Sequence, residues 1–172
     1  MMSRHIFLIG MPGCGKSSLG RKVANVLRIP YVDADARITE TFGCEVKDIF
    51  AQYGEEAFRR AETNLLIQLT REMPSLISTG GGMVMNPQNL EIMRNHGYII
   101  LIDRPLQDIK SDIKLDRRPL LAAKGLGEVD RLYNARIDIY RDAADLVLDN
   151  SKGYHAGVAG LEHMIRWLYP NP

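Results

Sequence analysis

The sequence predicts an α/β fold in three layers, with helices covering both faces of a five-stranded parallel sheet. Segments typical of strands alternate with segments typical of helices along all 172 residues, which is the order produced by successive strand–helix units. The strand segments are almost continuously apolar, and this indicates a sheet that is buried on both faces. Because no repeat, low-complexity tract or linker interrupts the alternation, we expect one domain over residues 1–172.

The individual elements follow from the spacing of apolar residues and from the residues that end each run. Short runs of aliphatic, β-branched and aromatic residues predict strands at 5–9, 31–33, 76–79, 98–102 and 145–148. Helical spacing predicts helices at 16–27, 36–42, 46–52, 55–72 and 154–168, with a further helix opened by Asn86 and Pro87. The segment 111–129 fits neither period, and we expect a mobile loop there.

Composition and charge exclude several classes of partner. The net charge of +1 provides no general attraction to nucleic acid or membranes, so any anion must be bound locally. Cys14, Cys44 and the four histidines lack metal-ligand spacing, and two cysteines make no disulfide framework, which favours a reducing compartment. No apolar run reaches the roughly 18 residues of a membrane span, and the apolar run before Gly10 is too short for a signal peptide. We expect a cytoplasmic protein.

Residues 10–17 read G-M-P-G-C-G-K-S and match the P-loop pattern G-x-x-x-x-G-K-[ST] between a predicted strand and a predicted helix. The glycines let successive backbone N–H groups turn toward phosphate oxygens, and the start of the helix adds a positive dipole. Lys16 is expected to reach the β- and γ-phosphates, and the Ser17 hydroxyl to ligate Mg²⁺. The predicted ATP contacts in this loop are Gly13, Cys14, Gly15, Lys16, Ser17 and Ser18.

A P-loop does not by itself decide the reaction. The alternative to a nucleotide site is a chance glycine-rich turn before an amphipathic helix, and the correct flanking elements disfavour it. GTPase-type switches need a D-x-x-G and an N-K-x-D motif, and neither occurs in the chain. Within the loop, Cys14 is either a small space-filling residue or a thiolate activated by the start of the helix.

The motifs that follow the P-loop resemble those of shikimate kinases, in order and over almost the whole chain. They are D-A-D at 33–35, G-E-E-A-F-R-R-A-E at 54–62, G-G-G at 80–82, R-P-L-L at 118–121 and R-x-x-x-Y at 136–140. The resemblance implies a P-loop kinase fold with a mobile lid at about 111–125 and acceptor-binding helices at about 34–62. It also implies transfer of the γ-phosphate of ATP to the 3-hydroxyl of shikimate, with Mg²⁺ as cofactor. We expect a monomer that binds these small molecules and neither nucleic acid nor membranes.

The resemblance also implies roles on the acceptor side of the site. Arg59 and Arg136 match the arginines that hold the shikimate carboxylate, and planar guanidinium groups suit that task. Asp35 matches the residue that binds the reacting hydroxyl and can accept its proton. Asp33 matches a carboxylate that acts on Mg²⁺, directly or through water. The alternative for this Asp-x-Asp pair is capping of the next helix, for which Asp35 is the candidate.

Two further predictions concern the glycine run and the residue that positions Arg59. Gly80, Gly81 and Gly82 expose backbone N–H groups and allow close approach of the γ-phosphate and the acceptor, where the alternative is a plain tight turn. Glu62 lies one helical turn after Arg59 and could hold that arginine in position.

Arg118 matches the lid arginine that neutralises the transferring phosphate, although the neighbouring Arg117 leaves the register open. With Lys16 and Asp35 it completes the predicted catalytic set. The family usually has another arginine earlier in the lid, where this chain offers only Lys110 and Lys114. Lys152 lies where the family packs adenine, and we predict an ATP contact there.

One carboxylate and two other functions compete with this interpretation. Asp103 ends the apolar run 98–102 and resembles a Walker B carboxylate, but we expect the metal position to belong to the strand beside the P-loop, ending at Ser78 and Thr79. A kinase related to gluconate kinase would also need cations for a hydroxylated carboxylate. A non-catalytic nucleotide-binding module would bind ATP without turnover. Both alternatives stay open at this point.

Overall fold

The protein folds around a five-stranded parallel sheet with the strand order β2-β3-β1-β4-β5, seen in a computed structural model that describes residues 2–112 and 126–170. The central strand β1 pairs with β3 on one side and with β4 on the other, and all five of its residues are buried. The strands are β1 (His5–Ile9), β2 (Tyr31–Asp33), β3 (Leu76–Ser78), β4 (Gly97–Asp103) and β5 (Leu146–Asp149).

Helices cover the sheet and pack against one another in pairs. Helix α1 packs against α7, α2 against α3, α3 against α4, and α5 against α6. The helices are α1 (Lys16–Leu27), α2 (Ala34–Phe42), α3 (Val46–Leu69), α4 (Pro87–His96), α5 (Leu106–Asp112), α6 (Leu126–Ala143) and α7 (Tyr154–Leu168), with a short 3₁₀ turn at Met83–Met85. The three-layer α/β architecture with a parallel sheet is therefore confirmed.

Most predicted elements are confirmed within a few residues of their predicted ends. The two helical stretches predicted at 46–52 and 55–72 are joined in α3, but Gly54 has φ 81° and ψ 164° and separates them with a break in the helix. Asn86 caps α4 by accepting a hydrogen bond from the Gln88 amide at 3.0 Å, as predicted. Helix α2 begins at Ala34, two residues earlier than predicted, because Asp33 is its N-cap.

The prediction of an irregular segment at 111–129 is wrong at both ends. Helix α5 continues through residues 111 and 112, and α6 already includes 126–129. Val129 is fully buried and anchors the first turn of α6, while Ile109 is fully buried in α5. Gly127 within the first turn of α6 obscured the helical period in the sequence. The rest of the predicted lid, 113–125, lies outside the described residues.

The topology brings the ends of three strands to one edge of the sheet. β1 runs into the P-loop, β2 ends at Asp33, and β3 ends at Ser78 just before Gly80. Since all strands are parallel and β3 lies between β1 and β2, these carboxyl ends are neighbours. In the ranges described, no helix has the length and apolar character needed to cross a bilayer.

Candidate active site

The P-loop curls around its own lysine. Gly10, Gly13 and Gly15 have φ values of 138°, 84° and 107°, which residues with a Cβ rarely adopt, so the loop depends on glycine at these positions. Lys16 is 7% exposed, and its Nζ donates to the carbonyl oxygens of Gly10 at 2.8 Å and Met11 at 2.9 Å. These bonds hold the ammonium group over the loop in which phosphates would lie.

Cys14 is fully buried in the middle of the loop. Its Sγ lies 3.7 Å from Lys16 Nζ, and a Cβ on Gly10 would come within 2.9 Å of that sulfur. The side chain therefore fills the space beneath the loop. Burial favours the space-filling interpretation of this residue over that of a reactive thiolate.

Two distant side chains hold the outer face of the loop. Asn150, which follows β5, donates from Nδ2 to the Cys14 carbonyl oxygen at 2.9 Å. Arg104, which follows β4, donates from Nη1 to the Gly13 carbonyl oxygen at 3.1 Å. Both bonds fix peptide groups of the loop in a conformation that suits phosphate binding. Neither Asn150 nor Arg104 is among the residues predicted from the sequence to contact the loop.

The predicted metal-binding residues lie close together at the start of α1 and α2. The Ser17 hydroxyl is 3.1 Å from the Ser78 hydroxyl, so the end of β3 does lie beside the P-loop serine. The Tyr31 hydroxyl lies between Ser17 and Asp33, 3.2 Å from the Ser17 carbonyl oxygen and 3.4 Å from Asp33 Oδ2, and its one hydrogen can be donated to either oxygen. Burial raises the pKa of Tyr31 to about 12, so this hydroxyl remains a donor.

Asp33 has two functions to serve with its two oxygens. Oδ1 accepts from the Ala36 amide at 3.3 Å and caps α2, whereas Oδ2 faces Tyr31 near Ser17. Among the described residues, no cluster of three or more His, Cys, Asp or Glu side chains forms a metal cage. A serine hydroxyl with one nearby carboxylate suits Mg²⁺, which keeps several waters and takes its other ligands from substrate phosphates. These residues therefore fit the predicted cofactor.

Asp103 ends β4, which is also a direct neighbour of the P-loop strand. The strand order therefore does not exclude this residue as a metal ligand, and that part of the sequence reasoning is wrong. The structure supplies a different reason to set it aside, since Asp103 Oδ2 accepts from Arg141 Nη2 at 3.4 Å. This ion pair gives the carboxylate a structural role at the start of β4's connection to α5.

Asp35 lies in the first turn of α2 and faces the glycine run. A Cβ on Gly80 would lie 2.7 Å from Asp35 Oδ1 and 2.8 Å from Glu62 Oε1, so only glycine allows both carboxylates to approach this backbone. The alternative in which Asp35 caps the helix is wrong, because Asp33 is the cap.

Arg59 is held by two carboxylates of its own helix. Nη1 donates to Glu62 Oε2 at 2.8 Å, as its spacing predicted, and Nη2 donates to Glu55 Oε1 at 2.9 Å. The guanidinium lies against Gly82, where an added Cβ would be 2.5 Å from Nη1. The fully buried Glu62 has a pKa raised to about 7 by burial, with Arg59 opposing that shift.

Arg136 approaches the glycine run from α6. Its Nη1 lies 3.4 Å from the Gly81 carbonyl oxygen, which also accepts a hydrogen bond from the Tyr140 hydroxyl. Burial raises the pKa of Tyr140 to about 12, so it donates at any pH near neutrality. The two predicted carboxylate-binding arginines, Arg59 and Arg136, thus contact neighbouring residues of the same run from different helices.

Two cavities meet at the P-loop, and we refer to them as the inner and the outer cavity. The inner cavity has a volume of about 260 Å³ and is lined by Gly13, Gly15, Lys16, Ser17, Ser18, Asp35, Thr79 and Gly81. The outer cavity, of about 430 Å³, is lined by Gly15, Ser18, Leu19, Arg104, Asp112, Asn150, Gly153 and Tyr154. The inner cavity joins the predicted phosphate-binding groups to Asp35 and the glycine run.

The family model for shikimate kinase matches residues 12–164. The chain belongs to the shikimate kinase family. A shikimate kinase of Clostridium botulinum (strain Eklund 17B) is 38% identical over 164 residues, covering 95% of this chain and 98% of the relative. The solved shikimate kinase from Acinetobacter baumannii, in complex with shikimate, has a TM-score of 0.88 at 27% identity over 98% of this chain and 94% of that chain. The shikimate kinase from Aquifex aeolicus has a TM-score of 0.81 at 31% identity, covering 97% of each chain.

Membership confirms the family inferred from the order of the motifs, and with it the enzyme class of an ATP-dependent phosphotransferase acting on an alcohol group. Of the predicted shikimate kinase site residues, the loop residues, Asp33, Asp35, Arg59, Gly80–Gly82 and Arg136 lie together at one edge of the sheet. Lys152 is exposed and lines neither cavity in the described part of the chain. Arg118, Arg117 and Lys114 lie outside the described residues, so the lid arginine stays a prediction.

Several residues of the site were missed because their signal is not local. Tyr31, Arg104 and Tyr140 reach the P-loop or the glycine run from positions that lie 14 to 91 residues away in the sequence. Tyr140 was visible in the sequence only as part of a motif, and its bond to Gly81 could not be deduced from spacing.

Proposed function

We propose that this protein transfers the γ-phosphoryl group of ATP to the 3-hydroxyl of shikimate. The observation that carries the proposal is the inner cavity, which is lined both by Lys16 and Ser17 of the P-loop and by Asp35 and Gly81. A phosphate donor and an alcohol acceptor would meet in this space. The solved relative that contains shikimate supports the choice of acceptor.

The acceptor side of the site suits a hydroxylated carboxylate. Arg59 and Arg136 contact neighbouring glycines and can hold a carboxylate between them with planar, charge-assisted hydrogen bonds. The opposite end of the acceptor then lies toward Asp35, whose carboxylate orients the reacting hydroxyl. Phosphoryl transfer requires mainly positioning and charge neutralisation, so this orientation is the main contribution of Asp35.

In the transfer step, the acceptor oxygen forms a bond to the γ-phosphorus while the bond from that phosphorus to the β,γ-bridging oxygen breaks. The hydroxyl proton passes to Asp35, and ADP leaves with the bridging oxygen. Lys16 and the backbone N–H groups of the loop stabilise charge on the phosphoryl oxygens. We infer that Ser17, with Asp33 acting through water, holds Mg²⁺, which when bound neutralises charge on the β- and γ-phosphates.

The proposal is tested by measuring ADP release from purified protein with ATP, Mg²⁺ and each member of an acceptor panel. Shikimate should support turnover, whereas gluconate and AMP should not exceed the background of ATP hydrolysis. Turnover with gluconate alone would instead establish the alternative kinase, and no turnover with any acceptor would favour a nucleotide-binding module. Asp35→Asn should abolish turnover while the affinity for ATP stays within about twofold of wild type.

A further inference from the structure

We propose that Arg104 is a nucleotide-binding residue whose guanidinium plane stacks on the base of the nucleotide in the outer cavity. The inference rests on the proposed function only in requiring that a nucleotide binds at the P-loop. It concerns a residue that lies on the connection between β4 and α5, in no motif of the sequence.

The position of the outer cavity makes it the site of the nucleoside. It shares Gly15 and Ser18 with the inner cavity, so a ligand whose phosphates occupy the inner cavity continues across these two residues into the outer one. Its volume of about 430 Å³ lies in the range of small-molecule sites, roughly 300–1,000 Å³. Its lining is mixed, with Leu19 and the ring of Tyr154 beside Arg104 and Asn150.

The hydrogen bonds of Arg104 determine which part of the side chain faces a ligand. Nη1 donates to the Gly13 carbonyl oxygen at 3.1 Å, and Nη2 donates to the Asp112 carboxylate at the end of α5. Both bonds lie at the edge of the guanidinium group and use donors that would otherwise bind phosphate. The side chain is nevertheless 22% exposed and lines the cavity, and hydrogen bonds made in the guanidinium plane leave the face of that plane without a hydrogen-bond partner. Guanidinium faces stack well on aromatic rings.

The charge of Arg104 is also balanced in place. Hydrogen bonding and the charge of Arg104 lower the pKa of Asp112, so this carboxylate stays ionised near neutrality. A guanidinium that is already paired with an anion and a carbonyl contributes little to the attraction of phosphates. Its contribution should therefore depend on the base of the nucleotide and not on the phosphate chain.

The lysine of α5 does not provide a cation at the outer cavity. Lys110 Nζ lies 3.0 and 2.9 Å from the two carboxylate oxygens of Asp130 on α6, and it does not line the outer cavity. Among the residues that the structure describes around this cavity, Arg104 is the cation of its wall.

The experiment compares two probes that differ in the presence of a base. Titration calorimetry in Mg²⁺ buffer measures the Kd of ADP and of inorganic triphosphate for wild type, Arg104→Gln and Arg104→Lys. We expect Arg104→Gln to raise the Kd of ADP about tenfold, which corresponds to the loss of one cation–π or stacking contact. The Kd of triphosphate should rise less than about threefold. Arg104→Lys should lose ADP affinity to a similar degree, because lysine restores the charge without the plane.

Several results would overturn the inference. One is an unchanged Kd for ADP in Arg104→Gln. Another is an equal loss of affinity for ADP and triphosphate in Arg104→Gln together with wild-type affinity for both in Arg104→Lys, which would indicate a phosphate contact. Arg166→Gln is the matched control, since Arg166 forms a surface ion pair with Glu162 on α7. This variant should bind both probes with wild-type affinity. If wild type binds neither probe, the proposed function fails as well.

A second variant keeps the test decisive if Arg104→Gln does not fold. Asp112→Asn leaves the arginine in place but removes the charge that orients it, and Asp112 is exposed, so the fold should tolerate the change. We expect the affinity for ADP to be about two- to threefold weaker, because part of one stacking contact is lost, and the affinity for triphosphate to be unchanged. An unchanged affinity for ADP in this variant would overturn the inference.

Discussion

Arg59 Nη1 lies 2.8 Å from Oε2 of Glu62, and this ion pair joins an arginine at the acceptor site to a fully buried carboxylate. The other oxygen, Glu62 Oε1, accepts no hydrogen bond from the described residues and lies near the backbone of Gly80. Glu62 therefore fixes the position of the Arg59 guanidinium next to Gly82, at the predicted acceptor site. The pair explains how a long, flexible side chain can be positioned before a substrate binds.

The first prediction concerns the planar group of Arg59. Arg59→Lys keeps the charge but cannot bind Glu62, Glu55 and a substrate carboxylate with one rigid fork. We expect kcat/KM for shikimate to fall about 100-fold, mainly through KM, with KM for ATP changed less than about twofold. Steady-state kinetics with each substrate varied in turn measures both effects.

Arg60→Lys is the control for this prediction, because Arg60 neighbours Arg59 but pairs with the exposed Glu56. This variant should have wild-type kinetics. An equal loss in the two variants, or a loss confined to KM for ATP, would contradict the role of Arg59 in binding the acceptor.

The second prediction follows from the raised pKa of Glu62. Burial raises this pKa from 4.5 to about 7, so between these values the folded protein retains a proton that the unfolded chain has released. The contribution of Glu62 to the free energy of unfolding is complete below pH 4.5 and is lost as the pH rises through 7. Each pKa unit corresponds to about 1.4 kcal/mol, which gives a change of a few kcal/mol for the group.

Chemical denaturation of wild type and Glu62→Gln at several pH values measures this contribution. The difference in unfolding free energy, wild type minus variant, should decrease as the pH rises over this interval, because glutamine does not titrate. Glu56→Gln, which changes an exposed carboxylate of the same helix, should give a flat difference. If the Glu62→Gln difference is also flat, the carboxylate titrates as an ordinary one.

The main features of the fold could be predicted from the sequence because they have local causes. Continuous apolar runs are typical of strands buried on both faces, and glycine, proline or a capping side chain ended most runs correctly. Helix α5 was missed since it is short and has one fully buried residue, Ile109, which makes no recognisable period. The start of α2 was misplaced because Asp33 and Asp35 are equally good caps by residue type.

The sequence predicted which residues form the site better than it predicted the contacts between them. The P-loop, Asp35 and Arg59 stand in motifs whose residue types are required by the chemistry. The bond from Tyr140 to Gly81 joins positions 59 residues apart, and the bond from Arg104 to Gly13 joins positions 91 residues apart. Such contacts depend on how strands and helices are arranged around the P-loop, and no spacing within one element reports them.

The third prediction concerns the close approach of backbone and carboxylates at Gly80. An added Cβ would lie 2.7 Å from Asp35 Oδ1 and 2.8 Å from Glu62 Oε1, so at least one carboxylate must move. We expect Gly80→Ala to lower kcat at least about 100-fold, since displacement of Asp35 misorients the reacting hydroxyl, while ATP still binds. Turnover and ATP titration on the same preparation measure the two effects.

Gly127→Ala is the matched control, since an added Cβ meets no atom within 4 Å in the described structure. Alanine also favours the helix at this position by up to about 1 kcal/mol, so this variant should be active and at least as stable as wild type. A Gly80→Ala enzyme with near-normal kcat would show that Asp35 does not depend on this approach.

The last prediction separates the roles of two carboxylates, Asp33 and Asp103, which are the last residues of β2 and β4. Asparagine caps helices about as well as aspartate, so Asp33→Asn should keep α2 intact while it removes the charge near Ser17. We expect turnover at limiting Mg²⁺ to fall about 100-fold in Asp33→Asn, with the midpoint of the Mg²⁺ titration shifted upward. Asp103→Asn removes a partly exposed ion pair with Arg141 and should change neither quantity by more than about twofold. If Asp103→Asn instead shifts the Mg²⁺ titration and Asp33→Asn does not, the metal site belongs at the end of β4, which adjoins the P-loop strand as closely as β3 does.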